Sequence, residues 1–197
     1  AEALISESGV SDVHTRLRNG EIVDTVKDIE DEADLIVMGK RGESANFDTM
    51  HLGSNLEKVI RSTHKPVMVA SREFKAPGKL LIAFDGGPSV LKAVSFISQR
   101  PHYNDLPIHL LSVGRDSATE RRQLEGAMVT LKDGGFTVTA ENLPGTPETV
   151  ISDKVEQEGF DLVIMGAYGH SRIRNLIIGS TTTEMVRSCK VPVILFR

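Results

Sequence analysis

Phe160-Asp161-Leu162-Val163-Ile164-Met165-Gly166-Ala167-Tyr168-Gly169 is the stretch on which the fold turns. Leu162 to Met165 are apolar without a break, and two glycines follow, three positions apart. So short a continuous apolar run predicts a strand buried on both faces, as in parallel sheets. The same pattern occurs earlier, in Ala33-Asp34-Leu35-Ile36-Val37-Met38-Gly39-Lys40-Arg41-Gly42. Leu52-Gly53-Ser54 matches Ile178-Gly179-Ser180, and Lys65-Pro66-Val67-Met68-Val69 matches Val191-Pro192-Val193-Ile194-Leu195. Asp34 and Asp161 stand 127 apart, Pro66 and Pro192 126 apart, so the first copy carries one extra loop residue. A period this long exceeds the roughly 20–50 residues of solenoid units and points to duplicated domains.

The second copy begins near Lys79, and Ala1 aligns with about Met128, so the first copy lacks its front half. The chain therefore reads as a partial domain, 1–74, before a complete domain, 79–197, with Lys75-Ala76-Pro77-Gly78 as the linker. In the complete unit, Leu80–Phe84, Ile108–Val113, Phe136–Thr139, Asp161–Met165 and Val191–Phe196 read as strands. Between them Val90, Leu91, Val94 and Ile97 recur at helical spacing, and Ser117…Glu120 is a capping box. Thr146-Pro147-Glu148 starts a third helix, and Ser180–Ser188 is a fourth. The fold class is α/β: an open, mostly parallel five-stranded sheet wound on both faces, preceded by a partial copy of itself. In the partial copy Val10–Thr15, Leu35–Met38 and Val67–Ala70 read as strands, and Ser54…Glu57 as a second capping box. Without its inner strands that unit needs shelter from the intact one or from a partner subunit.

The 197 residues are 40% hydrophobic and 25% charged, ordinary values for a soluble domain. A net charge of −4 argues against bulk nucleic-acid binding, and no apolar run approaches the ~18 residues of a membrane span. A single cysteine, Cys189, excludes internal disulfides and cysteine-based zinc sites and suits a reducing, cytoplasmic setting. His102 and His109 flank the second strand of the complete unit, and nothing in the sequence pairs them with a nucleophile. No Walker-type phosphate loop is present.

Two features fall where ligands bind in such sheets, beyond the carboxyl ends of the strands. One is Asp85-Gly86-Gly87-Pro88-Ser89, after the first strand. The other is Gly166-x-x-Gly169, then nine residues, then Gly179-Ser180-Thr181-Thr182. The glycines let a ligand approach the backbone, and the hydroxyl-rich helix start offers free N–H groups at the positive end of a dipole. That combination is an anion site, with phosphate its natural guest.

With these residues in their order, the sequence resembles the universal stress protein family, in its ATP-binding branch. The signature G-x2-G-x9-G-(S/T) is carried by Gly166, Gly169, Gly179 and Ser180. The resemblance implies an adenine nucleotide alpha hydrolase-like fold and a sensor or regulatory module of the stress response that binds ATP in its C-terminal unit. It implies that Asp85 lies by base and ribose, and that Val113 meets adenine through its backbone. Met165, Gly166 and Gly169 would line the ribose and phosphates, and Gly179, Ser180 and Thr182, with Thr181 by its backbone, would hold the phosphates. Mg2+ would bridge phosphate oxygens, and a homodimer would form through the last strand, Val191–Phe196. His170, Arg172 and Arg174 could screen a triphosphate. No catalytic residue and no protein-held metal is implied. In the first copy ten residues separate Gly42 from Gly53, Glu43 and Asp48 would repel phosphate, and no strand supplies the aspartate, so that copy is not expected to bind nucleotide. The alternatives are a nucleotide-free dimerising scaffold or an ATP-using enzyme.

Overall fold

The computed structural model describes residues 5, 7, 9, 12–40, 53–71, 75–114, 116–168 and 178–197. The front unit supplies α1 (Ile22–Ile29), β1 (Ile36–Gly39), α2 (Ser54–Ser62) and β2 (Val67–Ala70). The rear unit supplies β3 (Leu80–Ala83), α3 (Pro88–Ser98), β4 (Ile108–Val113), α4 (Ala118–Asp133) and β5 (Val138–Leu143). It continues with α5 (Pro147–Glu158), β6 (Leu162–Gly166), α6 (Ser180–Ser188) and β7 (Val193–Phe196). No described helix is long and apolar enough to cross a membrane.

All seven strands form one sheet, in the order β1-β2-β7-β6-β3-β4-β5. The five rear strands are parallel to one another, as the unbroken apolar runs of β3, β6 and β7 imply. The duplication extends to register. Ile36 stands opposite Val67 as Val163 stands opposite Val193, each pair at equivalent positions of the two copies.

The two units join where β2 pairs antiparallel with β7. Val67 faces Leu195, Met68 faces Ile194, and Val69 faces Val193. Met68 and Ile194 are equivalent residues, so a local two-fold passes between them, the signature of an isologous junction. The rear unit thus shelters the inner edge of the front one. This corrects the expectation that a second copy docks on the last strand, since both edges of β7 are taken inside the chain, by β6 and β2.

Each face of the sheet carries a core. On one, Val67, Val69, Leu81, Leu111, Val163, Met165, Val193 and Leu195 pack under α2, α5 and α6. On the other, Leu80, Ile82, Ile108, Leu110 and Ile164 pack under α3 and α4. The helices after β3 and β6 therefore lie on opposite faces, and these strands are neighbours. The crevice between their carboxyl ends is the switch point of the sheet. Beyond β2 no described helix covers the second face, and Val37 on the edge strand β1 is 60% exposed.

Three local expectations are corrected. Residues 12–15 form no strand: the equivalent strand β5 pairs only with β4, and no described strand takes the place of β4 beside β1. The Ser54…Glu57 box does not form, because α2 starts one residue early for it, with Gly53 at the N-cap. β5 starts at Val138 and runs to Leu143, later than the expected Phe136–Thr139, because Gly135 at φ +90° and Phe136 complete the helix exit. The Ser117–Glu120 box does form, with both reciprocal bonds. Thr146 is the N-cap of α5 without a side-chain bond, leaving Pro147 to set the first turn.

Candidate functional site

At the switch point the strand ends come level. Ala83 pairs with Leu111 and with Met165, so Asp85, Val113 and Ala167 each lie two residues past a common line. Neighbouring strands are about 5 Å apart, so three of the expected ligand segments converge within a nucleoside's width. Asp85 is exposed, and its Oδ1 accepts the Gly87 N–H at 2.9 Å. Gly86 takes φ +70°, a turn that an L side chain resists. Gly114, at φ +115°, donates its N–H to the Leu143 carbonyl and ends β4 beside the half-buried Val113.

Across the crevice, β6 passes into Gly166 and Ala167. The Ala167 N–H is held by the Phe196 carbonyl at 2.7 Å, and the Gly179 N–H reaches the Ala167 carbonyl at 3.3 Å. Helix α6 therefore begins directly over the exit of β6. Gly179 is its N-cap and offers no side-chain cap, and the first ladder bond runs from the Thr183 N–H to the Gly179 carbonyl. The N–H groups of Ser180, Thr181 and Thr182 thus have no partner in the helix ladder and stand at the positive end of its dipole.

The Thr182 hydroxyl serves differently from expectation. Thr182 is 3% exposed and donates to the carbonyls of Gly166 at 3.1 Å and Ala167 at 3.4 Å. Its proton clamps α6 to β6, so only its backbone N–H can serve an anion. Thr181 donates to Glu148 Oε2 at 3.3 Å, which brings a carboxylate beside the α6 terminus. The Met165 side chain is buried in the core, so only its backbone can meet a ligand. Tyr168 packs against the same core, where burial raises its phenol pKa. Gly169, His170, Arg172 and Arg174 lie outside the described residues, as do Gly42, Glu43 and Asp48 of the first copy. Among the described residues no group of three or more His, Cys, Asp or Glu could hold a metal.

His109 is held by two side chains of β5. Its Nδ1 lies 2.8 Å from Thr139 Oγ1 and its Nε2 2.9 Å from Glu141 Oε1. Period-two alternation puts Thr139 and Glu141 on one face of β5, with His109 beside them on β4. Burial acts to raise the Glu141 carboxyl pKa, but Lys154 and His109 outweigh it and hold the group below its ordinary range. The carboxylate is shared with the Lys154 ammonium, and the cluster lies under α5, well below the strand ends. It is a neutralised structural network. Cys189 is buried, and burial pushes its thiol pKa up.

The family model described as "Universal stress protein family" matches residues 1–71 and 77–197. The chain belongs to the universal stress protein family. A universal stress protein of Synechocystis is 37% identical over 199 residues, covering all of this chain and 69% of that protein. The crystal structure of a universal stress protein from Archaeoglobus fulgidus superposes with a TM-score of 0.73 at 23% identity, over 98% of this chain and 71% of that one. A universal stress protein solved in complex with cAMP aligns with 62% of this chain and 98% of its own, at a TM-score of 0.53 and 21% identity. Universal stress protein architecture of the adenine nucleotide alpha hydrolase type is thus the fold here.

Ser89 was not singled out from the sequence. It is buried to 8% exposure on the first turn of α3, against Gly166. The available signal was its place two residues past the glycine pair that opens the helix.

Proposed function

We propose that this chain binds ATP, or a related adenine nucleotide, at the β3/β6 switch point of a C-terminal unit spanning 79–197. In this reading it acts as a sensor or regulatory module of the cytoplasmic stress response, and the partial unit 1–74 buttresses the sheet. One observation carries the reading: the N–H groups of Ser180–Thr182, outside the helix ladder, start directly over the glycine exit of β6, level with Asp85 and Val113. The α6 terminus offers donors to phosphates, while Asp85, a carboxylate that only accepts, suits the ribose hydroxyls. That a solved relative holds cAMP supports an adenine nucleotide as the class of guest. Mg2+ would enter on the phosphate oxygens and water, as this ion prefers, since the described protein groups form no cage for it.

The test is a thermal-shift titration with ATP and Mg2+. A ligand that binds only the folded state stabilises it by about 2.7 kcal/mol at 100 times its Kd. The wild type should melt later as ATP rises to millimolar levels. Gly179→Asp, which sets a carboxylate at the helix start, should abolish the shift. An unmoved melting temperature in both proteins would reject the reading.

The engagement of Thr181 by Glu148 and of Thr182 by Gly166 favours a second reading, a nucleotide-free scaffold whose glycines only shape loops. The same titration separates the two.

A further inference from the structure

The exit of β6 has little of its own to hold it. In the sequence Gly166 stands on one side of Ala167-Tyr168 and Gly169 on the other. Glycine loses more conformational freedom on ordering than any other residue, so a segment flanked by two needs anchors. Two are present. Ala167 is fully buried, and its N–H is held by the Phe196 carbonyl at 2.7 Å. Tyr168 packs against the core of the first face.

The second anchor belongs in part to the front unit. The core that receives Tyr168 takes Leu56, Val59 and Ile60 from α2. Strand register brings α2 to the same place. Its chain enters β2 at Val67, which stands opposite Leu195, while Gly166 stands opposite Phe196, the next residue of β7. The carboxyl end of α2 therefore lies beside the exit of β6. The charges that bear on the Tyr168 phenol agree with this placement. They come from Arg197 and from Arg61 and Glu57 of α2, which pair with each other at 3.7 Å.

The front unit also grips α6. Lys40, just past β1, donates from its ammonium to the Cys189 carbonyl at the C-cap of α6. The helix whose N-terminus faces the crevice is thus tied at its other end to the front unit. Lys40 and Ala167 are equivalent positions of the two copies, so the local two-fold relates the two grips. At each, the strand exit of one unit meets the carboxyl end of the other unit's last helix.

We infer that Tyr168 is a positioning residue of the candidate site, held against the α2 core so that the exit of β6 is already set when phosphate arrives. The inference rests on the nucleotide reading above and deepens it by naming how the site is regulated. A preformed segment spares the ligand the cost of ordering it, so a seated front unit raises nucleotide affinity. By linkage, bound nucleotide tightens the seat of the front unit by the same factor.

The test is calorimetric titration of the whole chain with ATP and Mg2+, in a double-mutant cycle between Tyr168 and Val59. Val59 is fully buried on α2, so no ligand can touch it. Tyr168→Ala should weaken ATP about tenfold, and Val59→Ala about threefold, which is the size of coupling carried through packed side chains. The double variant should bind no more weakly than Tyr168→Ala, because both act through one anchor. Tyr168→Phe, which keeps the ring, should recover most of the loss. If Tyr168→Ala does not fold, Val59→Ala against the wild type decides alone. A Val59→Ala protein that melts earlier yet binds ATP like the wild type would overturn the inference, leaving α2 a structural neighbour only. Fully additive losses would overturn it as well. In both cases the nucleotide reading would stand. A wild type that takes no ATP would instead remove the nucleotide reading, and this inference with it.

Discussion

Thr63→Val should loosen the front unit in a way that depends on pH. Thr63 is 1% exposed, just before β2, and its hydroxyl donates to Glu30 Oε2. The same hydroxyl accepts the Lys65 N–H at 3.0 Å, and the His64 N–H reaches the same carboxylate oxygen at 3.1 Å. Glu30 is itself buried, at 8% exposure. The Thr63 hydroxyl is the main cause that holds its carboxyl below the ordinary range, against the upward push of burial and with help from the His64 N–H. Valine keeps the shape and removes both bonds. A bond to a charged group is worth about 1.5–3 kcal/mol and a neutral one about 0.5–1.5, while the added methyl returns about 1. The net loss at pH 7 should be about 2 kcal/mol, or roughly 4–8 °C in a chain of this size. The sign with pH follows from the lowered carboxyl. Its contribution is full above the unfolded value near 4.5 and disappears as pH falls through the lower folded value. Urea unfolding of both proteins at pH 7 and pH 3 measures this. The gap should narrow at pH 3, below the unfolded carboxyl's value near 4.5, where the anion's contribution has begun to be lost. An equal gap at both pH values, or none at pH 7, would refute the assignment of Glu30 as a buried, Thr63-held anion.

Three further outcomes are expected. Glu148→Gln should tighten ATP binding about two- to fivefold at low salt, since a carboxylate leaves the α6 terminus, and the gain should shrink as salt rises; titration at two ionic strengths checks it. Glu141→Gln should cost about 1 kcal/mol at neutral pH by unpairing Lys154 and His109, with the gap closing as pH falls below the carboxylate range. The Lys154 ammonium is held above its ordinary pKa because Glu141 and Glu158 outweigh the downward push of burial, so its share should persist to high pH and be lost as pH rises through that raised value. At the junction of the units, Val69 and Val193 are opposite and fully buried. Each alanine substitution should cost about 2 kcal/mol, and the double variant should depart from additivity by more than about 0.5 kcal/mol; full additivity in denaturant unfolding would show that β2 and β7 do not share one core.

Much of this molecule was legible because the decisive signals are local or periodic. Leu80–Ala83 and Leu162–Gly166 are strands because unbroken apolar runs suit an element buried on both faces. The 127-residue offset of Asp34 from Asp161 carried through to matching strand register. The place of the candidate site was legible too, since glycines and a hydroxyl-rich helix start mark the ends of strands whatever packs around them. Roles within it were harder to read. Thr182 looked like a phosphate ligand, but its hydroxyl faces inward to a carbonyl, a matter of helix rotation that spacing does not encode.

The sequence by itself determined a duplicated α/β unit, its strands and most of its helices, and the crevice at which a ligand could sit. These follow from alternation, apolar runs and turn residues, which act over a few neighbouring positions. Only the tertiary structure decided that β2 closes onto β7, that Glu30 is buried against Thr63, and that Ser89 lies enclosed beside Gly166. Each of these depends on which edge or cavity is left once distant segments have packed, and residues more than thirty positions apart settle it by contact.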